Sequence, residues 1–301
     1  MSTPIDLSKL PAPTIIDPLD FEQLFEERKA LLIELTPEAE REELAETLQL
    51  ESEPLVKFLQ ESAYRELILR QLHNERTRSL LLAYAEGTIL NHIGVTYYMT
   101  ERLTLHEADP DAIPPVEAVM ENDDDYKRRI LLAHDAFSTA GGRNAYRYYA
   151  LGADPQVKDA DAIRPLAGMV QVYVLSREDD GEASLALIAA VESALNEDDV
   201  RPLSDTVRVT SASVLSFAVS AALELRNGPD ADVVREEAIA AARDYVNQRH
   251  ALGEVIVAGA LESRLYVPGV ERVTMASPLQ DIGGDASEAP YCTAIEVTVS
   301  G

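Results

Sequence analysis

The chain has 301 residues, enough for two domains or for one elongated body of several parts. Its 53 Asp and Glu residues outnumber its 26 Lys and Arg residues, so the formal net charge is −27. Such a surface repels the phosphates of nucleic acids and of anionic lipids, and we predict that neither nucleic acid nor a membrane is a partner. Because 46% of the residues are hydrophobic, we expect a folded chain with a sizeable core.

The cysteine content and the N-terminal sequence bear on the compartment in which the chain folds. Cys292 is the single cysteine, so no intramolecular disulfide can form. The sequence does not begin with a basic run followed by an apolar stretch, which is the pattern of a signal peptide. No segment has the roughly 20 apolar residues that cross a bilayer. We therefore expect synthesis and folding in a reducing cytoplasm.

Residues 1–18 contain four prolines and few charges. Proline disfavours a helical conformation in the residue before it, so this composition predicts an extended arm. The arm either lies along another surface or remains a loose tail.

Residues 19–107 are predicted to form a helical domain. Its first helix follows Asp20, which can cap it, with Gln23 placed to reach back to the cap. Leu19 and Leu24 have the spacing of a hydrophobic staple. These are local signals, and they predict where this helix begins.

The longest predicted helix runs from Glu53 to about Glu86, with Gly87 at its end. It contains two runs of three consecutive apolar residues, so more than one of its faces is apolar. A helix that is apolar on two faces must be covered on two sides. We therefore predict that one face packs within the chain and that another contacts a partner. The candidate partner-contact residues are Leu67, Ile68, Leu69, Leu80, Leu81 and Leu82.

Residues 108–120 are predicted to be a linker, because they contain three prolines and two aspartates without periodicity. The acidic run from Glu121 to Asp125 follows it. Acidic side chains suit the positive end of a helix dipole, so this run predicts a helix start. That helix is predicted to reach about Ser138 and to be stopped by the glycine pair at 141–142.

Residues 121–301 are predicted to form a mixed body, which makes the chain α+β: a helical region followed by sheets with helices between them. The hydrophobic period changes from about 3.6 to 2 near Val157. Strands are predicted around residues 169–175, 207–209, 217–225, 273–275 and 295–299, with helices around residues 188–195 and 234–245. The strands form either one core or two consecutive small sheets that meet near Ser213.

Motifs for known chemistry are missing from the sequence. The Walker loop, the dinucleotide glycine fingerprint, the serine nucleophile elbow and the zinc-protease helix motif do not occur, and one cysteine excludes paired-cysteine zinc sites. The run from Asp123 to Asp125 lacks the glycine and the terminal glutamate of an EF-hand loop. The histidines lack metal-ligand spacing and are His73, His92, His106, His134 and His250. We therefore predict no catalytic, cofactor-binding or metal-binding residues.

Two features leave the interpretation open. A chain with 53 acidic residues can always bring two carboxylates together in space, so paired acids for glycoside cleavage are neither indicated nor excluded. Tyr146, Tyr148 and Tyr149 form a cluster that is typical of a contact surface and equally of a packed core.

Several stretches, taken together and in this order, resemble the baseplate J-like family of contractile phage tails and related tail-like particles. They are IDLSKLPAPTIIDPLDFEQLFEERKALL from Ile5, LESEPLVKFLQESAYRELILRQLHNERTRSLLLAYAEGTILNHIG from Leu50, FSTAGGRNAYRYYALGADPQVKDA from Phe137, EDDVRPLSDTV from Glu197 and ALGEVIVAGALESRLYVPGVERV from Ala251. The resemblance covers essentially the whole chain. Its matched stretches are structural, so it supplies no catalytic residues.

The resemblance implies a structural wedge subunit of a six-fold baseplate around the tail tube. The helical domain would bundle with other wedge proteins, and residues 121–301 would join neighbouring copies into a ring that rearranges when the sheath contracts. The implied location is the virion tail baseplate, or the baseplate of a headless tail-like device. Two alternatives stay open: a tail-associated cell-wall hydrolase, and a cytoplasmic assembly scaffold or chaperone that is absent from finished particles.

Overall fold

The structure is a computed structural model that describes residues 19–137, 142–197, 200–226 and 230–300. The predicted arm, residues 1–18, lies outside the described residues. The chain divides into two compact units, between Tyr97 and Tyr98. The first unit is helical and the second combines helices with small sheets, which confirms the predicted α+β class.

The first unit is built from helices that the local sequence signals only partly predict. Its elements are α1 (Phe21–Leu35), a short 3-10 turn (Glu38–Glu40), α2 (Arg41–Thr47), α3 (Pro54–Ser79) and α4 (Gly87–Tyr98), whose last residue begins the second unit. Asp20 caps α1 as predicted, since its Oδ1 accepts the Gln23 N–H at 3.1 Å. The Gln23 side chain donates instead to Glu27, and Leu19 is half exposed.

The predicted helix from Glu53 to Glu86 is wrong at its C-terminal end. Helix α3 ends at Ser79, where the Leu80 N–H bonds to the Thr77 carbonyl and the i to i−4 ladder gives way to i to i−3 bonds. A turn follows, and Gly87 opens α4 with a φ of +53°. The run Leu80–Leu82 has high helix propensity, so the local sequence gives no signal that the helix ends before it.

The second unit contains five helices and ten strands among the described residues. In chain order they are β1 (Thr104–His106), β2 (Val119–Met120), α5 (Asp123–Ala136), α6 (Arg143–Ala153), β3 (Val157–Leu166), β4 (Met169–Ser176), α7 (Leu185–Leu195), β5 (Thr206–Ser211), β6 (Ser213–Leu225), α8 (Ala231–Gln248), β7 (Val255–Ile256), α9 (Ala258–Arg264), β8 (Val270–Ser277), β9 (Ile282–Gly283) and β10 (Glu288–Ser300).

Two three-stranded sheets organise this unit. The central sheet has the order β3-β4-β5, with β3 antiparallel and β5 parallel to β4. The C-terminal sheet has the order β10-β6-β8, with β10 parallel and β8 antiparallel to β6. Only Ala212 separates β5 from β6, so of the two arrangements that the sequence left open, the structure has two small sheets that meet next to Ser213.

Each sheet has its own core. In the central module, which consists of α6, α7 and the central sheet, Val172, Val174 and Val191 are fully buried. In the C-terminal module, residues 213–300, helix α8 covers one sheet face and buries Val219, Leu223 and Ala238. Alternate strand residues point to the same face, which explains why the sequence of β6 shows a period of 2 where Val219 and Leu223 are buried.

The region before α5 is more ordered than its composition suggests. The segment that the sequence predicts as a linker contains β2, which pairs with β1, and a bridge between Asp109 and Val116. Asn122 caps α5 by accepting the Asp125 N–H at 2.9 Å, and three aspartates occupy the first turn, as the dipole argument predicts. Helix α5 ends at Ala136, and the predicted end at Ser138 with the glycine at 141 lies outside the described residues.

Candidate assembly surface

Helix α3 has one face that is used inside the first unit. Val56 and Ala63 are buried there against Leu24 and Phe25 of α1, with Leu67 half-buried beside them. Pro54 at the first helical position fixes where this face begins. This packing accounts for one of the two apolar faces that the sequence shows.

The opposite face of α3 leaves large apolar side chains in contact with solvent. Phe58 is 72% exposed and Leu69 is 58% exposed. At 100° per residue, the exposed apolar residues of this face span roughly 140° of the helix surface, on the side away from Val56 and Ala63. We call them the open face of α3: Phe58, Tyr64, Ile68, Leu69 and Leu72.

The six candidate contact residues predicted from sequence do not form one surface. Ile68 and Leu69 lie on the open face, whereas Leu67 packs against α1. The other three lie in the turn after α3: Leu80 is 71% exposed, and Leu81 and Leu82 are half-buried.

The sequence prediction missed three members of the open face, Phe58, Tyr64 and Leu72. Tyr64 and Leu72 lie four residues before and four residues after the predicted Ile68, which places all three in one stripe along the helix. That spacing was a usable signal. The prediction used runs of consecutive apolar residues instead, although consecutive residues of a helix point in different directions.

Charged residues lie on both sides of α3. On the inner side, Glu66 bonds to Arg28 of α1 and accepts from Arg70 Nη2 at 2.6 Å. These hydrogen bonds, first from Arg28 and then from Arg70, lower the pKa of Glu66. On the outer side, the side chains of Lys57, Glu61 and Arg65 form no ion pair with any described residue.

The predicted tyrosine cluster belongs to the interior of the second unit. Tyr146 is buried and its hydroxyl donates to Asp205 Oδ2 at 2.8 Å. Burial, followed by the hydrogen bond to Asp205, raises the pKa of Tyr146. The hydroxyl of Tyr148 pairs with Thr100, and that of Tyr149 donates to the Ala136 carbonyl. Packing is therefore the role of this cluster.

Within the described residues, no group of three or more His, Cys, Asp or Glu side chains is arranged to hold a metal ion. Two of the five histidines, His134 and His250, contact other parts of the second unit. The His134 ring makes tilted contacts with the rings of Tyr98 and Phe137, and His250 Nδ1 lies 2.8 Å from the Pro290 carbonyl. None of the helices described is both long enough and apolar enough to cross a membrane.

Comparison with known proteins places the chain in a family. Three family models match it: the baseplate J-like N-terminal domain over residues 51–109, the central domain over residues 138–211 and the C-terminal domain over residues 217–298. Baseplate protein J of Escherichia phage P2 is 46% identical over 297 residues, which is 99% of this chain and 98% of that protein.

A solved structure is also similar in part. The cryo-EM structure of the anti-feeding prophage baseplate, six-fold symmetrised, matches 59% of this chain with 14% identity and a TM-score of 0.39. The match covers 43% of that chain, so the present chain spans less than half of it. The three consecutive domain matches and the full-length relative carry the assignment: the chain belongs to the baseplate J-like family.

Proposed function

We propose that this chain is a structural subunit of a contractile-tail baseplate, in which it joins partner wedge proteins and neighbouring copies of itself into a six-fold ring that rearranges on sheath contraction. Family membership and the match to a phage baseplate protein support a baseplate role. The proposed location is the virion tail, after synthesis in the host cytoplasm.

The open face of α3 is the observation that carries the proposed partner contact. The first unit already buries one face of this helix against α1, yet five large apolar side chains remain exposed on the other. Large apolar side chains that are exposed together on one face of a folded chain are typical of an interaction site. An amphipathic helix or a helical groove of a partner is the surface that such a face fits.

The charges around the open face bear on the choice of partner. Lys57, Glu61 and Arg65 lie on the outer side and have no ion-pair partner among the described residues. Charges of both signs among the apolar side chains of one face favour a partner with the complementary pattern and disfavour other registers. We therefore infer a helical partner that carries acidic and basic residues among the apolar residues of its contact face.

The proposed contact between neighbouring copies rests on the C-terminal sheet. Strands β8 and β10 are its two edges among the described residues. Edge strands carry backbone groups that can pair with a strand of another chain. This sheet is therefore where we expect one copy to meet the next.

The experiment compares Leu69→Asp with Leu67→Asp. Leu69 lies on the open face and Leu67, two residues earlier, packs against α1, so the same change is made on opposite sides of one helix. We expect the isolated Leu69→Asp chain to melt like the wild type. Assembly with the partner wedge proteins should weaken by about tenfold or more, because burying a leucine is worth roughly 1.5–3 kcal/mol and each decade of affinity about 1.4 kcal/mol. Leu67→Asp should instead lower the melting temperature of the isolated chain.

The measurements are thermal melting of the isolated chain and negative-stain imaging of particles from a strain complemented with each variant. Particles that assemble normally with Leu69→Asp would contradict the proposed interface. Particles that are complete in a strain lacking the chain would contradict a structural role altogether. A discrete oligomer that is absent from finished particles would indicate an assembly scaffold instead.

A further inference from the structure

The central module and the C-terminal module are joined where β5 passes into β6. Strand β5 ends at Ser211 and β6 begins at Ser213, so the chain changes sheets at the single residue Ala212. The Ala212 N–H donates to the Val174 carbonyl of the central sheet at 2.8 Å. The next N–H, that of Ser213, donates to the Ser287 carbonyl of the C-terminal module at 2.8 Å. Ala212 is therefore the covalent pivot between the modules.

The apolar contact around this pivot is small. Leu175, Ala212 and Ala289 are buried together, with Leu252 half-buried against them. Two of these four side chains are alanines, which bury little apolar area compared with the leucines of either module core. Polar contacts across the joint therefore have a large share in fixing its angle.

Asp159 makes the polar contact that crosses the joint. It lies on β3 of the central module and is 4% exposed. Its Oδ2 accepts the N–H of Leu252, which belongs to the C-terminal module, at 3.0 Å. Its Oδ1 accepts the Ala160 N–H at 2.9 Å and lies 3.8 Å from Arg147. A buried carboxylate is tolerated only where donors satisfy it, and one of these donors comes from the other module.

A neighbouring aspartate shows what this contact adds. Asp161 lies two residues further along β3, is 5% exposed and also accepts the N–H of the next residue, at 2.9 Å. Its other partners are on α6: Arg143, whose Nε donates at 2.7 Å, and Arg147, whose Nε lies 3.9 Å from Oδ1. The hydrogen bonds of Asp161 thus stay within the central module, and those of Asp159 do not.

A second close approach supports the same joint. Gly181, in the turn after β4, has a φ of +101°, and a Cβ there would lie 2.6 Å from Leu175 Cδ1 and 3.1 Å from His250 Nε2. Any larger residue at this position would require Leu175 and His250 to shift. The segment that contains His250 and Leu252 therefore meets the central module at two places, at Gly181 and at Asp159.

We propose that the Asp159 carboxylate is a latch that holds the C-terminal module at one angle to the central module, and that its loss lets the C-terminal module turn about Ala212. Opening the latch exposes one carboxylate and one backbone N–H, both of which water can satisfy, so the change is reversible without unfolding of either module. The inference concerns a contact inside the chain and does not depend on the proposed partner contacts.

The test measures the distance between the modules in the full chain. Spin labels are placed at Leu203→Cys in the central module and Leu279→Cys in the C-terminal module, in a Cys292→Ser background, because Leu203 and Leu279 are among the most exposed leucines described. Asp159→Ala should at least double the width of the distance distribution measured by double electron–electron resonance. Hydrogen exchange at the Leu252 amide should accelerate by about tenfold or more. The matched control Asp161→Ala should leave both quantities as in the parent chain.

An unchanged distribution for a folded Asp159→Ala chain would overturn the proposal. So would equal broadening for Asp161→Ala, since that would reflect a loosened central module and not a released joint. If Asp159→Ala does not fold, Asp159→Leu decides the question. A leucine side chain branches like the carboxylate but has no acceptor for the Leu252 N–H, so the same broadening supports the latch and an unchanged distribution overturns it.

Discussion

Replacing Glu121 with methionine should destabilise the second unit by about 3–5 kcal/mol, which is the usual cost of removing one partner of a buried ion pair. The Glu121 side chain is 1% exposed. It accepts from Arg129 Nε at 2.9 Å and from Arg129 Nη2 at 2.8 Å, so the pair is bidentate. Arg129 keeps the Glu101 carbonyl in the variant, but its charge is left without a carboxylate.

The expected loss of stability comes from the buried Arg129 charge that is left unpaired, and not from lost packing. Methionine has nearly the volume of glutamate, so little cavity is created. Arg129→Met alone should be similarly costly, because it strands the Glu121 carboxylate. The double variant Glu121→Met with Arg129→Met leaves no buried charge. Its loss of unfolding free energy should therefore be smaller than the sum of the two single losses, by about 2 kcal/mol or more.

The assay is urea unfolding of the full chain followed by circular dichroism, with the four chains of the double-mutant cycle measured side by side. Asp232→Ala serves as a control, because Asp232 is 77% exposed and pairs with Arg235 at the surface of α8. That variant should cost less than about 1 kcal/mol. A Glu121→Met chain as stable as the control, or a double variant whose cost equals the sum of the singles, would refute the reasoning.

Three further outcomes are expected. Neither EDTA nor calcium should shift the melting temperature of the full chain, and a rise of several degrees with calcium would reveal a metal site. A fragment from Tyr98 to the C-terminus should unfold cooperatively, while one from Val119 should be less stable, because Tyr126 then loses its acceptor on the Thr100 carbonyl. Burial, and next the charge of Lys158, lower the pKa of His250. Its contribution to stability is therefore present above the unfolded-state pKa of about 6.5 and is lost as the pH falls through the folded-state value. Wild type should lose more stability between pH 7.5 and 5.5 than His250→Gln, by at most about 1.4 kcal/mol per pH unit in urea unfolding, and equal losses would contradict this.

The parts of the fold that local chemistry determines could be predicted from the sequence. The cap at Asp20, the acidic first turn of α5 and the alternating strands all depend on residues within a few positions of one another. The sheet change near Ser213 was one of two arrangements that the sequence left open, and the structure decides between them, since only Ala212 lies between β5 and β6.

The parts that depend on distant residues could not be predicted. Glu121 belongs to a run that predicts a solvated helix start, yet Arg129 and the N–H of Leu103 hold it inside the second unit. Asp159 finds its partner at Leu252, 93 residues later in the chain. Which face of α3 is buried depends on where α1 lies, and no local pattern states that.

Charged side chains have partners in the interior of this chain but, among the residues that the structure describes, lack them on the surface proposed for assembly. Among the described residues, every buried side-chain nitrogen or oxygen has a hydrogen-bond partner. Buried acids such as Glu121 and Asp161 are paired with arginines of the same unit. On the outer side of α3, by contrast, Lys57 and Arg65 find no ion-pair partner among the described residues, beside apolar side chains that remain exposed. The buried polar atoms described are thus all hydrogen-bonded, whereas this helix face keeps apolar side chains exposed and charged side chains without ion-pair partners in the part of the chain described. A partner that supplies both is the simplest physical account of that face.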